Sequence, residues 1–268
     1  TTLPRRLVAQ ILERLNIDMP KSAELLRDLL AEKILDIAMM EQPIDINDII
    51  NYVQSSITYY DEDRDEFVGL QIYDKPQGGR YIVYMSATPP PSLLSLPTVR
   101  VQPSTLIAKI PRGSLPMTMQ MIEQHKDKIM RLLERYISNE PTLVFTTSSK
   151  LLPDGVPYEI LYEDEIKDPQ SICNAKIAVL YFFGRYSEGV RLNCFHRVLL
   201  YSLPLLPQTV LQRLKSRGIH ANDIIIVKSI QAMGRILPRE DAEIILFDAR
   251  YRMYCDTFRQ YGIQCVED

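Results

Sequence analysis

KIAVLYFFGRYSEGV (residues 176–190), RVLLYSLPLLP (residues 197–207) and QAMGRILPR (residues 231–239) decide the fold. Their Val/Ile/Leu/Tyr runs are short, continuous and separated by stretches too long for tight turns. Such runs read as central strands of a parallel sheet covered on both faces. Polar residues that immediately follow such strands lie on loops at the carboxyl edge, where open α/β sheets bind their ligands. Functional residues are expected on that edge.

The rest of the composition fits an ordinary globular protein. The chain has 268 residues, enough for one large domain or a main domain with an extension. It is 46% hydrophobic and 24% charged, and no apolar run reaches the length of a membrane span. The opening TTLPRRLVAQILERLN reads as an amphipathic helix start rather than a signal peptide. With 31 basic and 34 acidic residues, any nucleic-acid site must be a local patch. Cys173, Cys194, Cys255 and Cys265 show no CxxC spacing. They read as buried small hydrophobes or free thiols in a reducing compartment, not as zinc or iron–sulfur ligands. The expected location is intracellular, cytoplasmic or nucleoid-associated.

From the N-terminus, apolar spacing predicts helices over residues 7–15, 23–40 and 44–53, the last with Asp45 and Asp48 at its start. YYDEDRDEF (residues 59–67) reads as a solvated turn. Strands are expected at 67–73 and 80–88, joined by DKPQGG. The prolines at 89–91 then set a boundary near residue 98. Beyond it come an edge strand at 98–102, an amphipathic helix over 118–138 and strands at 142–146, 158–162 and 176–183. EIILFDAR (residues 243–250) and a closing helix near 253–261 follow. This rhythm predicts an α/β domain with a mostly parallel sheet over residues 99–268, preceded by a helical and two-strand extension over residues 1–98.

The candidate site residues sit after these strands. Ser86, Ala87 and Thr88 follow one, and Thr147, Ser148, Ser149 and Lys150 follow another. Gly184 and Gly189 bracket a loop with Arg185, Ser187 and Glu188, and glycines there let backbone amides approach a phosphate. Gln231, Arg235 and Arg239 are four residues apart and share a face wherever the helix persists, with Gly234 allowing close approach. Pro238 interrupts that helix before Arg239.

In this order the segments resemble the C-terminal motor half of XPD/DinG-type superfamily 2 DNA helicases. SAT (residues 86–88) is similar to motif III, FTTSS (residues 145–149) to motif IV, GRYSEGVRL (residues 184–192) to motif V and QAMGRILPR to motif VI. Asp248 and Arg250 stand where the family has an aspartate-arginine pair after the next strand. The resemblance implies a RecA-like three-layer sandwich. Gln231, Arg235 and Arg239 would be catalytic, and Gly184, Glu188, Gly189 and Gly234 would bind ATP. Thr147, Ser148, Ser149, Lys150, Arg185 and Ser187 would contact single-stranded DNA, with Ser86, Ala87 and Thr88 coupling the two. The chain departs from the pattern at Arg191, where the family has an acidic residue, and at Pro238, where it has a second arginine.

No GxxxxGK[ST] segment or DEAH-like tetrad occurs in the sequence. The chain therefore lacks the lysine and hydroxyl that cradle β- and γ-phosphates. ATP and Mg²⁺ are expected only in an assembled enzyme, with a P-loop-containing first motor domain supplied in cis or in trans, and no metal site is expected on this chain. Single-stranded DNA is the expected partner, without a membrane. An oligomeric contact is a further expectation, because a strand at 80–85 needs neighbours. A non-hydrolysing nucleic-acid-binding or scaffold protein derived from a helicase, and an unrelated α/β enzyme, remain as alternatives.

Overall fold

A computed structural model describes residues 1–40, 45–71, 106–137, 140–187, 190–216, 219–237 and 241–268. The chain divides into two compact units, Thr1–Tyr84 with Gln208–Arg213 and Met85–Pro207 with Leu214–Asp268. The expected strands at 80–88 and 98–102, and with them Ser86, Ala87 and Thr88, lie outside the described residues.

In the first unit, β1 (Thr2–Pro4), β2 (Ile57–Asp61) and β3 (Glu66–Leu70) form an antiparallel sheet in the order β1-β3-β2. The helices α1 (Arg5–Arg14), α2 (Ala23–Glu32), α3 (Ile34–Ala38) and α4 (Ile46–Val53) contribute Val8, Ile11, Leu26, Leu30, Ile37 and Ile49 to its core. Residues 23–40 form two helices rather than one, parted at Lys33, whose φ of −97° and ψ of 10° leave the helical region. Asp45 caps α4 through the Asn47 N–H at 2.9 Å.

The charged YYDEDRDEF holds the expected solvated turn at residues 62–65, where Glu62, Asp63 and Asp65 are exposed, but strands flank it and one of its side chains is buried. Tyr59 and Tyr60 belong to β2, and the turn folds the Arg64 side chain inward until it is 3% exposed. The Asp61 carboxylate takes Arg64 Nε at 2.9 Å, and the Glu66 carboxylate lies 3.9 Å from Nη1. These acids therefore already surround a cation of the chain's own.

The second unit is built on seven strands: β4 (Leu106–Ile110), β5 (Thr142–Thr146), β6 (Ile160–Tyr162), β7 (Ile177–Tyr181), β8 (Arg197–Leu200), β9 (Glu243–Leu246) and β10 (Ile263–Glu267). Every described pairing is parallel, in the order β10-β4-β9-β8-β5-β7-β6. Side chains alternate between the faces of such strands. Leu143, Phe145, Ala178, Leu180, Val198, Leu200, Ile244 and Leu246 face one side, where α7 (Ala221–Met233) and α8 (Cys255–Gln260) supply Ile225, Ile226, Met233 and Phe258. Val144, Ile177, Val179, Leu199 and Ile245 face the other, packed on Ile122, Ile129, Leu132, Leu133 and Tyr136 of α5 (Met119–Ile137). This is a RecA-like α/β sandwich with a parallel sheet, preceded by helices and short strands. The sequence reading missed β4 and β10, the two strands at one margin of the sheet.

The cysteines are paired, which overturns their reading as free thiols or simple hydrophobes. Cys173 bonds Cys194 and Cys255 bonds Cys265, with Cα atoms 5.6 and 5.7 Å apart, inside the usual range. The argument for a reducing compartment rested on free thiols and falls with them.

Candidate functional site at the carboxyl edge

Strands β5, β7 and β8 lie side by side in register, Phe145 opposite both Leu180 and Leu200, so the segments that follow them emerge together. After β5, the Thr146 hydroxyl donates to the Ser148 carbonyl at 3.0 Å, and the Ser148 hydroxyl accepts the Lys150 N–H at 3.3 Å. Ser148 is buried and its side chain caps the turn at Ser149–Leu151. Thr147 and Ser149 are half-buried and Lys150 is exposed. The Thr147 N–H donates to the Ser202 hydroxyl at 3.0 Å, so a residue read as part of an apolar run fixes this loop from β8.

The loop after β7 is organised around a buried carboxylate. Glu163 accepts the Tyr181 N–H at 2.7 Å and the Tyr186 N–H at 3.3 Å. A β-carbon at Gly184 would stand 2.1 Å from the Glu163 carboxylate, so glycine is required there to admit it. One amide of the loop expected to cradle a phosphate, that of Tyr186, thus answers to an internal anion. Within EDEIKD, nothing in the sequence separates Glu163 from Asp164 or Glu165. Ser187 is also buried, with its hydroxyl on the Gly184 carbonyl at 2.9 Å, while Arg185 is exposed. Glu188 and Gly189 lie outside the described residues.

Helix α7 ends at Met233 and a 3-10 turn spans Gly234–Ile236, so Arg235 does not continue the α-helical face of Gln231. Arg235 is half-buried and turns onto the preceding loop. Its guanidinium donates to the carbonyls of Ser187 and of Val190, the latter at 2.9 Å. Its own carbonyl accepts the Leu192 N–H at 2.8 Å. Gln231 is half-buried, and its Oε1 is buried with no hydrogen-bond partner among the described residues. At Gly234, its chain neighbours aside, no atom of the described residues lies within 4 Å of where a β-carbon would stand, leaving room for an outside group. Pro238 and Arg239 lie outside the described residues.

After β9, Asp248 is fully buried. Its carboxylate accepts the Met117 N–H at 3.1 Å and pairs with the Arg250 guanidinium at 2.6 Å, joining this edge to the segment that leads into α5.

A cleft of about 770 Å³ opens beside Ser149 and Lys150. Glu123, Asp154, Asp164 and Glu165 line it against Lys126 and Lys150, a balance that disfavours a polyanion. Tyr181 also lines it and donates its hydroxyl to Asp164 at 2.9 Å. Burial, with the Asp164 and Glu163 carboxylates, pushes this phenol far above the ordinary tyrosine range, so it remains a neutral donor. Among the described residues, no group of three or more His, Cys, Asp or Glu could hold a metal ion. No helix among them is long and apolar enough to cross a membrane.

No protein-family profile and no curated protein sequence matches the chain. A solved structure titled "Structure of S. tokodaii Xpd4" is similar over 99% of this chain and 71% of that one, with a TM-score of 0.51 and 16% identity. At that identity the likeness is one of fold alone.

Proposed function

We propose that this chain is the second motor domain of an ATP-dependent DNA helicase, supplying half of the nucleotide cleft and part of a single-stranded DNA track. The observation that carries the reading is Arg235 bonded to the carbonyls of Ser187 and Val190. The two segments similar to motifs V and VI thereby meet at the carboxyl edge of a helicase-domain-like sheet. ATP with Mg²⁺ would supply the phosphoryl group for hydrolysis when a P-loop-containing domain binds it. Gln231 fits the attacking water, whose O–H its Oε1, an acceptor lacking a partner among the described residues, could receive, and Gly234 leaves open space for the phosphoryl group. Arg235 positions the loop, and contact with a phosphate requires it to leave those carbonyls. Thr147, Ser149, Lys150 and Arg185 would be the DNA contacts of this edge, reached from outside the acidic cleft that Ser149 and Lys150 also line.

The test is steady-state phosphate release with single-stranded DNA. The chain alone is expected to turn over negligibly, and addition of a P-loop-containing first half should restore activity. Robust turnover by the repurified chain, abolished by Arg235→Ala, would refute the requirement for both domains. One observation favours a second reading, a non-hydrolysing nucleic-acid-binding protein derived from such a domain: Glu163 already occupies the Tyr186 amide of the loop that would meet a phosphate. That reading expects salt-sensitive DNA binding and no turnover with any first half.

A further inference from the structure

The positive charge that the acidic cleft lacks is gathered elsewhere in the same unit. A pocket of about 290 Å³ is lined by Arg112, Gly113, Lys128, Arg131, Leu132 and Arg135, four cations without a carboxylate. Lys128, Arg131 and Arg135 are spaced three and four residues apart on α5 and so share one face. Arg112 follows the end of β4 and is brought to them by a turn at Gly113, whose φ of +77° suits glycine. All four cations are exposed, and none forms an ion pair among the described residues. Asp268, whose backbone oxygen accepts the Arg112 N–H, engages the Tyr136 hydroxyl at 2.8 Å with its carboxylate. In a chain of net charge −3, so concentrated a positive patch is not a sample of the average surface.

We infer that this pocket is a second nucleic-acid contact, binding the phosphate backbone of a single strand independently of the loops that follow β5 and β7. The choice of nucleic acid rests on the proposed helicase-derived function. Guanidinium forks match phosphate oxygens in pairs. The three helix cations rise about 10 Å along the axis, a row that meets successive phosphates rather than one isolated ion. The lining has no aromatic ring and only Leu132 as an apolar side chain, so it offers no platform for a base. Recognition there is by charge and insensitive to sequence.

The experiment measures fluorescence anisotropy of a labelled oligo(dT) with the full chain across a salt series. Arg131→Glu/Arg135→Glu should weaken binding about tenfold or more and flatten the slope of log K against log salt by about 1.4, the loss of two phosphate contacts on a single strand. Arg131→Gln/Arg135→Gln should reproduce the flattening with a smaller loss of affinity. Arg6→Glu/Arg14→Glu, at exposed positions on α1, makes the same change in net charge and should leave the slope in place. Unchanged binding by both α5 variants, with binding lost in Lys150→Glu/Arg185→Glu, would overturn the inference and leave the proposed function standing. Absence of any DNA binding by the wild-type chain would overturn both. Equal competition by poly-glutamate would make the patch a site for acidic peptides and overturn the inference.

Discussion

At Gly184 the space a side chain would need is filled by the Glu163 carboxylate, 2.1 Å from the position of a β-carbon. Gly184→Ala should therefore cost about 1–3 kcal/mol through overpacking against a group that cannot move without releasing two amides. Thermal melts of Gly184→Ala, Glu163→Ala and the double variant form a cycle. The double variant should be more stable than the sum of the two losses, and simple additivity would mean that the two residues do not meet. The glycine was visible in the sequence, but its reason was not, because the residue that requires it lies 21 positions earlier, in a run of interchangeable acids. Arg235 likewise stood out by its motif. Its attachment to two loop carbonyls depends on where α7 ends, a boundary that helical spacing alone does not reveal.

At the scale of elements, strands with continuous apolar runs were legible to within a few residues, as at Thr142–Thr146 and Ile177–Tyr181. Strand β4 escaped because its outward Ile107 and Lys109 are 55% exposed and ion-paired respectively, so it lacks the signature of a strand buried on both faces. Lys109 reaches Glu243 of β9 at 2.7 Å, and Arg197 of β8 reaches the same carboxylate. Although burial opposes ionisation, these cations hold the Glu243 carboxyl below the usual glutamate range. A lowered folded pKa gives stability that is present above the unfolded pKa and is lost as pH falls through the folded one. Glu243→Gln should thus lower the melting temperature at neutral pH, and the gap should close below about pH 4. A gap independent of pH would exclude ionisation as its source.

The disulfides clip short segments, separated by 21 residues for Cys173–Cys194 and 10 for Cys255–Cys265. Removing either should cost about 2–4 kcal/mol, or roughly 5–15 °C in melting temperature. A melting curve unmoved by reductant would show that the bonds are not formed in solution. Spacing could not reveal them, since a CxxC search finds metal and redox motifs but not cysteines joined through a fold.

For the whole molecule, alternation of helices and strands was enough to indicate the parallel sandwich, because few topologies satisfy right-handed crossovers. The charge distribution was not legible, since a nearly balanced total conceals an acidic cleft beside Lys150 and a cationic pocket on α5. The proposed function as half of a motor predicts that the Ser187 loop and the Gln231 helix end work together through Arg235. The most direct test combines this chain with a P-loop-containing first half and compares DNA-stimulated phosphate release by the wild type and Arg235→Ala, after circular dichroism confirms that both are folded. The account predicts a fall in kcat of about a hundredfold, equivalent to roughly 3 kcal/mol, with KM for ATP changed far less. Turnover by Arg235→Ala equal to that of an active wild-type assembly would contradict it.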